Sequence, residues 1–237
     1  MHAPFWLTTA LLSPILLYQG KRARRITPRL PEASGATSGQ YGTGAPKFRL
    51  LVIGESTAAG VGVATHNDGL ASQLALRLNQ RTDKTIAWQT FGVNGIRLGN
   101  LLQTLAAANL PPTDSVLLSM GVNDTTGFTT RAQFRQHLQA LRSAIAPLSQ
   151  APITLLSVPP MEKFSALPPP LRNVMGWRAR QLDRIYQELA QQAPADFRYL
   201  NYPTVENPSL LAKDGFHPSH LGYQFIAEAL AQRDWGV

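Results

Sequence analysis

The chain predicts an α/β domain whose parallel sheet is covered by helices on both faces. Short apolar and β-branched runs alternate strictly with stretches of helical period, the pattern left by crossover helices between parallel strands. The runs are apolar throughout, as expected of strands buried on both sides. At 237 residues and 44% hydrophobic content, the chain suits one domain able to bury a core.

The domain is read as 47–237. Its first strand is FRLLVIG at 48–54, a run that closes on glycine. Further strands are predicted at 86–91, 115–120, 153–158 and, with a weaker pattern, 197–200. Helical periods fall at 70–80, 98–108, 131–146, 171–192 and 221–232. Sheets of this kind bind ligands beyond the carboxyl ends of their strands, so the segments leaving those ends are where chemistry is expected.

The N-terminal part differs in character. Residues 3–19 carry no charge, are rich in Leu, Ile, Phe, Trp and Tyr, and are interrupted by Pro4 and Pro14; the basic cluster Lys21, Arg22, Arg24 and Arg25 follows. A spanning helix needs ~20 apolar residues, so this run is short for one. Residues 1–30 are expected to contact a membrane, by inserting or by lying in the interface with the cations on anionic headgroups. Cations on the cytoplasmic side would place the domain at the cytoplasmic face. A soluble cytoplasmic protein, its tail packed on its own domain, is the alternative. Residues 31–46, PEASGATSGQYGTGAP, have no apolar period and are expected to form a flexible linker.

The formal charge of +8 is unevenly spread. Residues 1–49 hold seven basic side chains and one acidic, Glu32; the other 188 hold fifteen basic and thirteen acidic, a balance of only +2. The basic character belongs to the tail, and no aromatic-interleaved basic stripe accompanies it, so nucleic acid is not an expected partner. There is no cysteine, which removes disulfides and thiolate–metal sites.

Four short motifs carry the chemistry: GEST at 54–57, NGI at 94–96, GVND at 121–124 and DGFHPS at 214–219. Ser56 follows the first strand in a glycine-flanked turn. A serine hydroxyl needs a neighbouring base to become a nucleophile; without one, the same loop is a helix cap or a cradle for a phosphate or flavin. The G-x-S-x-G of a nucleophile elbow is absent. The pair Asp214 and His217 supplies the base. A D-x-x-H spacing on a turn lets the carboxylate reach imidazole Nδ1 and leaves Nε2 for the serine. His220 falls at a helix start and has no acid three residues before it; His2, His66 and His137 pair with no acid in a comparable way. Asn123 offers a side-chain NH₂ to an oxyanion, and Gly95 a backbone N–H free of side-chain obstruction. Asp124 is expected to brace its loop.

These motifs in this order make the chain resemble the SGNH hydrolase family, also called GDSL-type esterases and lipases, over about 48–230. The resemblance implies Ser56 as nucleophile, His217 and Asp214 completing a triad, and Ser56, Gly95 and Asn123 as oxyanion hole. DGFHPSHLGY is its most specific stretch. Glu55 stands where the family usually has Asp, and Thr57 where it usually has Leu; neither is a proton-transfer position. Gly99 follows Gly95 by four residues, and position favours Gly95. The resemblance further implies a three-layer α/β/α sandwich of flavodoxin-like topology, five parallel strands in order 2-1-3-4-5. It implies hydrolysis of esters or thioesters, from lipids to acetylated sugars, without metal or cofactor; an acyltransferase would use the same triad. The segment 159–177 leaves the fourth strand at the active edge, and its Met161, Phe164, Leu167 and Trp177 are expected to wall a small-molecule or lipid ester substrate.

Overall fold

The computed structural model describes residues 3–203 and 207–237. Two helices come first, α1 (Ala3–Leu11) and α2 (Ser13–Ile26). Next are β1 (Ser38–Tyr41), β2 (Phe48–Gly54), α3 (Leu70–Thr82), β3 (Ile86–Gly92), α4 (Leu98–Ala106), β4 (Ser115–Ser119) and α5 (Val122–Thr126). The chain ends with α6 (Arg131–Ile145), β5 (Ile153–Leu156), α7 (Leu171–Gln192), β6 (Phe197–Leu200) and α8 (His220–Ala231). The sheet order is β1-β3-β2-β4-β5-β6, and all but β1 run parallel. The five parallel strands thus keep the expected order, but the sheet has six.

The apolar runs explain the layering. In β2, Leu50 and Val52 face one side and Leu51 and Ile53 the other, each no more than 1% exposed. Leu50 and Val52 pack with Leu74 and Leu78 of α3 and Tyr223, Ile226 and Leu230 of α8. Leu51 and Ile53 pack with Leu101 of α4, Phe134 and Leu138 of α6, and Leu182 and Tyr186 of α7. Both sheet faces are dry, as a parallel sheet requires. The register brings the strand ends level: Gly54 pairs with Gly92 on one side and Ser119 on the other. The first three motif loops therefore leave the sheet side by side.

The added strand corrects the reading of 31–46 as a flexible linker. Ser38–Tyr41 pairs antiparallel with 86–89 at the sheet edge, and Gly39 lies on Trp88, where a Cβ would come within 3.0 Å of the indole. Ala33 is buried, with its N–H donating to Ala59 O at 3.0 Å, and Glu32 Oε1 accepts from Asn94 N at 2.6 Å. An edge strand needs only backbone pairing on one side, so a polar, glycine-rich segment serves without any apolar period.

The N-terminal run also folds differently from an inserted segment. The helices break at Leu12, and Pro14 occupies the first turn of α2, where its missing N–H costs nothing. Among the described residues no helix is long and apolar enough to cross a membrane. Instead Phe5 is buried edge-on against Trp177, ring centroids 5.2 Å apart, beneath the Arg178 guanidinium. The Gln19 carboxamide ties α2 to the start of α7, donating to Pro169 O at 2.9 Å and accepting from Leu171 N at 3.1 Å.

Candidate active site

His217 and Asp214 sit on the turn before α8. His217 Nδ1 and Asp214 Oδ2 are 2.6 Å apart, while Asp214 Oδ1 accepts the backbone N–H groups of Phe216 and His217 at 3.0 and 3.1 Å. Burial raises the Asp214 carboxyl, but the bonds from the His217 ring and backbone outweigh it and hold the group below its ordinary value. The carboxylate therefore stays charged and fixes the ring by its Nδ1 edge.

Ser56 lies in the turn after β2. It lines a cavity of about 50 Å³ together with His217, Met120, Phe164 and Phe216. No hydrogen bond joins the serine hydroxyl to the imidazole among the described residues. Two features hold their loops together. The buried Tyr223 hydroxyl, on α8, donates to Val61 O at 2.8 Å. Gly62 has φ +107, and a Cβ there would lie 2.2 Å from Pro218 O, so only glycine allows this approach. His220, by contrast, is half-exposed, pairs with Asp68 at 3.2 Å and lines neither cavity described here.

The oxyanion candidates come from the neighbouring strand ends. Gly95 has φ +78 with open space where a Cβ would stand, whereas a Cβ on Gly99 would strike the His137 ring at 2.7 Å. Gly99 is thus a packing glycine between α4 and α6, and Gly95 is the one with free access. Among the described residues neither Ser56 N nor Gly95 N has an acceptor, so both N–H groups remain available. Asn123 lies in the first turn of α5, and Asp124 braces that turn as expected, accepting from Leu98 N at 3.0 Å and Thr129 Oγ1 at 2.7 Å.

Glu55 is the residue whose role the motif comparison passed over. Its Oε1 accepts Val122 N at 2.8 Å, and its Oε2 accepts both Asn123 N at 2.9 Å and Asn123 Nδ2 at 2.6 Å. Burial pushes the Glu55 carboxyl up to about 7, against the pull of the backbone bonds from Asn123 and Val122. One side chain thereby fixes the orientation of the Asn123 carboxamide, which lines neither cavity.

Of the expected wall residues, Phe164 packs at a tilt against Phe216, 4.5 Å between ring centroids, and lines the Ser56 cavity. Met161 and Leu167 line a second cavity of about 930 Å³ that shares Phe216 and His217 with the first and also reaches Asp214 and Gly95. Trp177 lines neither; its ring holds Phe5 of α1 instead. No group of three or more His, Asp or Glu among the described residues is placed to hold a metal ion.

Residues 52–225 match the model of the GDSL-like Lipase/Acylhydrolase family. A GDSL-like esterase of Mycobacterium tuberculosis is 24% identical over 234 residues, spanning 91% of this chain and 74% of its own length. Solved structures share the fold at lower identity. An α/β hydrolase from the metagenome of Lake Arreo, Spain, has a TM-score of 0.58 at 20% identity, with 78% of this chain and 94% of that one covered. An acetylxylan esterase from Geobacillus stearothermophilus gives 0.51 at 19% identity, with 80% and 96% covered. The family match over most of the domain, on a site of this composition, means that the chain belongs to the GDSL-like lipase/acylhydrolase family and is a hydrolase acting on ester bonds.

Proposed function

We propose that the protein hydrolyses carboxylic esters or thioesters through an acyl-enzyme formed on Ser56, with His217 and Asp214 completing the triad. The observation that carries this is the 2.6 Å bond of Asp214 to His217 Nδ1 on a turn that shares one cavity with Ser56. Serine–histidine bonds are often long in unliganded enzymes and tighten when substrate binds. Ser56 Oγ attacks the carbonyl carbon as its proton passes to His217 Nε2. The oxyanion takes bonds from Ser56 N, Gly95 N and the Asn123 carboxamide, and Asp214 stabilises the imidazolium. The C–O bond to the leaving alcohol then breaks, and the alcohol departs with the proton from Nε2. Water attacks the acyl-enzyme, gives its proton to His217, and the acid leaves as Ser56 Oγ regains that proton.

The test is Ser56→Ala with p-nitrophenyl acetate and a fluorophosphonate probe. The variant is expected to lose both turnover and labelling while keeping its melting temperature. Undiminished turnover would remove Ser56 from the mechanism, and acyl transfer to an added alcohol outrunning hydrolysis would make the enzyme an acyltransferase. We place the protein at the cytoplasmic membrane face, supported by Leu7, Leu11, Leu17 and Tyr18, all more than 60% exposed on α1 and α2, and by the adjacent basic cluster.

A further inference from the structure

The N-terminal helical pair does more than cover the domain. The cavity of about 930 Å³ lies between α2 and the body of the protein, and it reaches His217 and Gly95 at its inner end. That volume is near the top of the range for small-molecule sites, ~300–1,000 Å³, and far beyond what an acetyl group would fill. The domain side of the wall is largely apolar, with Phe128, Met161, Leu171 and Met175 prominent; the α2 side contributes Leu16, Leu17 and Gly20. Thr9, Ser13, Thr27, Asn94 and Thr126 also line it, but the greater part of its surface is apolar. An aliphatic chain would displace water from apolar surface.

The charge on the same wall is one-sided. Lys21, Arg24 and Arg29 line the cavity and are exposed, and none forms an ion pair with a carboxylate among the described residues. Among the described residues the only acid in the wall is Asp214, already engaged by His217. Three unmatched cations beside an apolar chamber complement an anion carried on an apolar chain. The wall is also firmly held: Gln19 ties α2 to α7, and Phe5 sets α1 against Trp177.

We propose that α2 is a substrate-selecting wall, and that the site takes an amphiphilic ester with its long apolar part in this cavity and a phosphate group against Lys21, Arg24 and Arg29. This rests on the reading of Ser56 and His217 as the reacting pair. Gly20 gives direct access to the idea, because a Cβ there meets nothing within 4 Å and the position faces the cavity. A bulky side chain would project into the space the chain needs.

The experiment uses the full-length enzyme and compares kcat/KM ratios. The chain ratios are p-nitrophenyl decanoate against p-nitrophenyl acetate, and decyl acetate against ethyl acetate, so either side of the ester is covered. The head ratio is decanoylglycerol phosphate against decanoylglycerol, below micelle-forming concentrations. Gly20→Phe is expected to lower at least one chain ratio by tenfold or more, since even one methylene in an apolar pocket changes discrimination by ~10–200-fold. Gly20→Leu, a smaller intrusion, is expected to fall between. Lys21→Glu with Arg24→Glu is expected to lower the head ratio about tenfold, while Arg22→Glu with Arg25→Glu, an equal charge change outside the cavity, leaves it as it was. Chain ratios unchanged in both Gly20 variants overturn the cavity assignment. A head ratio that falls equally in both charge variants overturns phosphate reading by the wall and leaves only bulk attraction. Labelling of Ser56 by the fluorophosphonate probe runs alongside: if that fails, the underlying active-site reading has failed; if it holds and the ratios do not move, this proposal alone has.

Discussion

At the scale of single residues, Glu55 governs how the Asn123 carboxamide is held. Its two oxygens accept three N–H groups from Val122 and Asn123, so it is a positioning residue acting through Asn123. Asn123→Ala is expected to lower kcat by roughly 10²–10³ with little change in KM, as the loss of an oxyanion donor does. Glu55→Gln places an NH₂ against those donors and is expected to lower kcat in the same way, while Glu55→Asp retains more. The Glu55→Gln and Asn123→Ala losses should not add in the double variant, because they act on one contact. A wild-type kcat in Glu55→Gln would show that the contact is structural only. Glu55 and Asp214, shifted in opposite directions, also act oppositely on stability. Glu55 ionises in the unfolded chain near 4.5 and in the folded protein near 7, so its contribution is full below pH 4.5 and is lost as pH rises through 7. Asp214, held below 3.8, contributes above that pH and loses its contribution as pH falls. Melting temperature against pH in Glu55→Gln should therefore slope less steeply downward between 4.5 and 7 than in the wild type.

At the scale of elements, what was legible in the sequence followed local rules. The apolar runs of β2 and β4 and the long period of α7 carry their own signal, and D-x-x-H on a turn has one geometry, so Asp214 and His217 could be paired from spacing. What was hidden depends on distant partners. Ser38–Tyr41 is polar and becomes a strand only because 86–89 offers a free edge. Glu55 acts across 67 and 68 positions, beyond any local pattern. Trp177 points at α1 because of the rotational phase of α7 against a helix the sequence had placed elsewhere. Pro4 and Pro14 read as interruptions, yet each stands at a helix start. The edge strand carries a further prediction. A chain beginning at Pro31 keeps β1, whereas one beginning at Lys47 bares the edge of β3 and uncovers Trp88. The shorter chain is expected to melt several degrees lower, since about 1 kcal/mol moves Tm by ~2–4 °C at this size, and to associate through the open edge. Equal melting and elution of the two would show that β1 contributes nothing.

At the scale of the whole molecule, charge is concentrated at one end. The first 49 residues carry a balance of +6 and the remaining 188 one of +2, so the helical pair forms a cationic, partly apolar face on a nearly neutral body. Flotation with vesicles containing anionic lipid is expected to carry the protein upward at low salt and to lose it as salt rises. No flotation on such vesicles would defeat the membrane placement without touching the chemistry of Ser56. The clamp from the Tyr223 hydroxyl to Val61 O joins positions 162 residues apart. A ribosome delivers this chain from the amino end, so the serine turn is made early and waits through most of synthesis for its counterpart. Until α8 emerges and docks, the hydroxyl that ties the two loops together is missing, and the proposed pair of Ser56 and His217 lacks that support. Loss of α8 would remove that clamp and would also strip Tyr223, Ile226 and Leu230 from the sheet face that Leu50 and Val52 present.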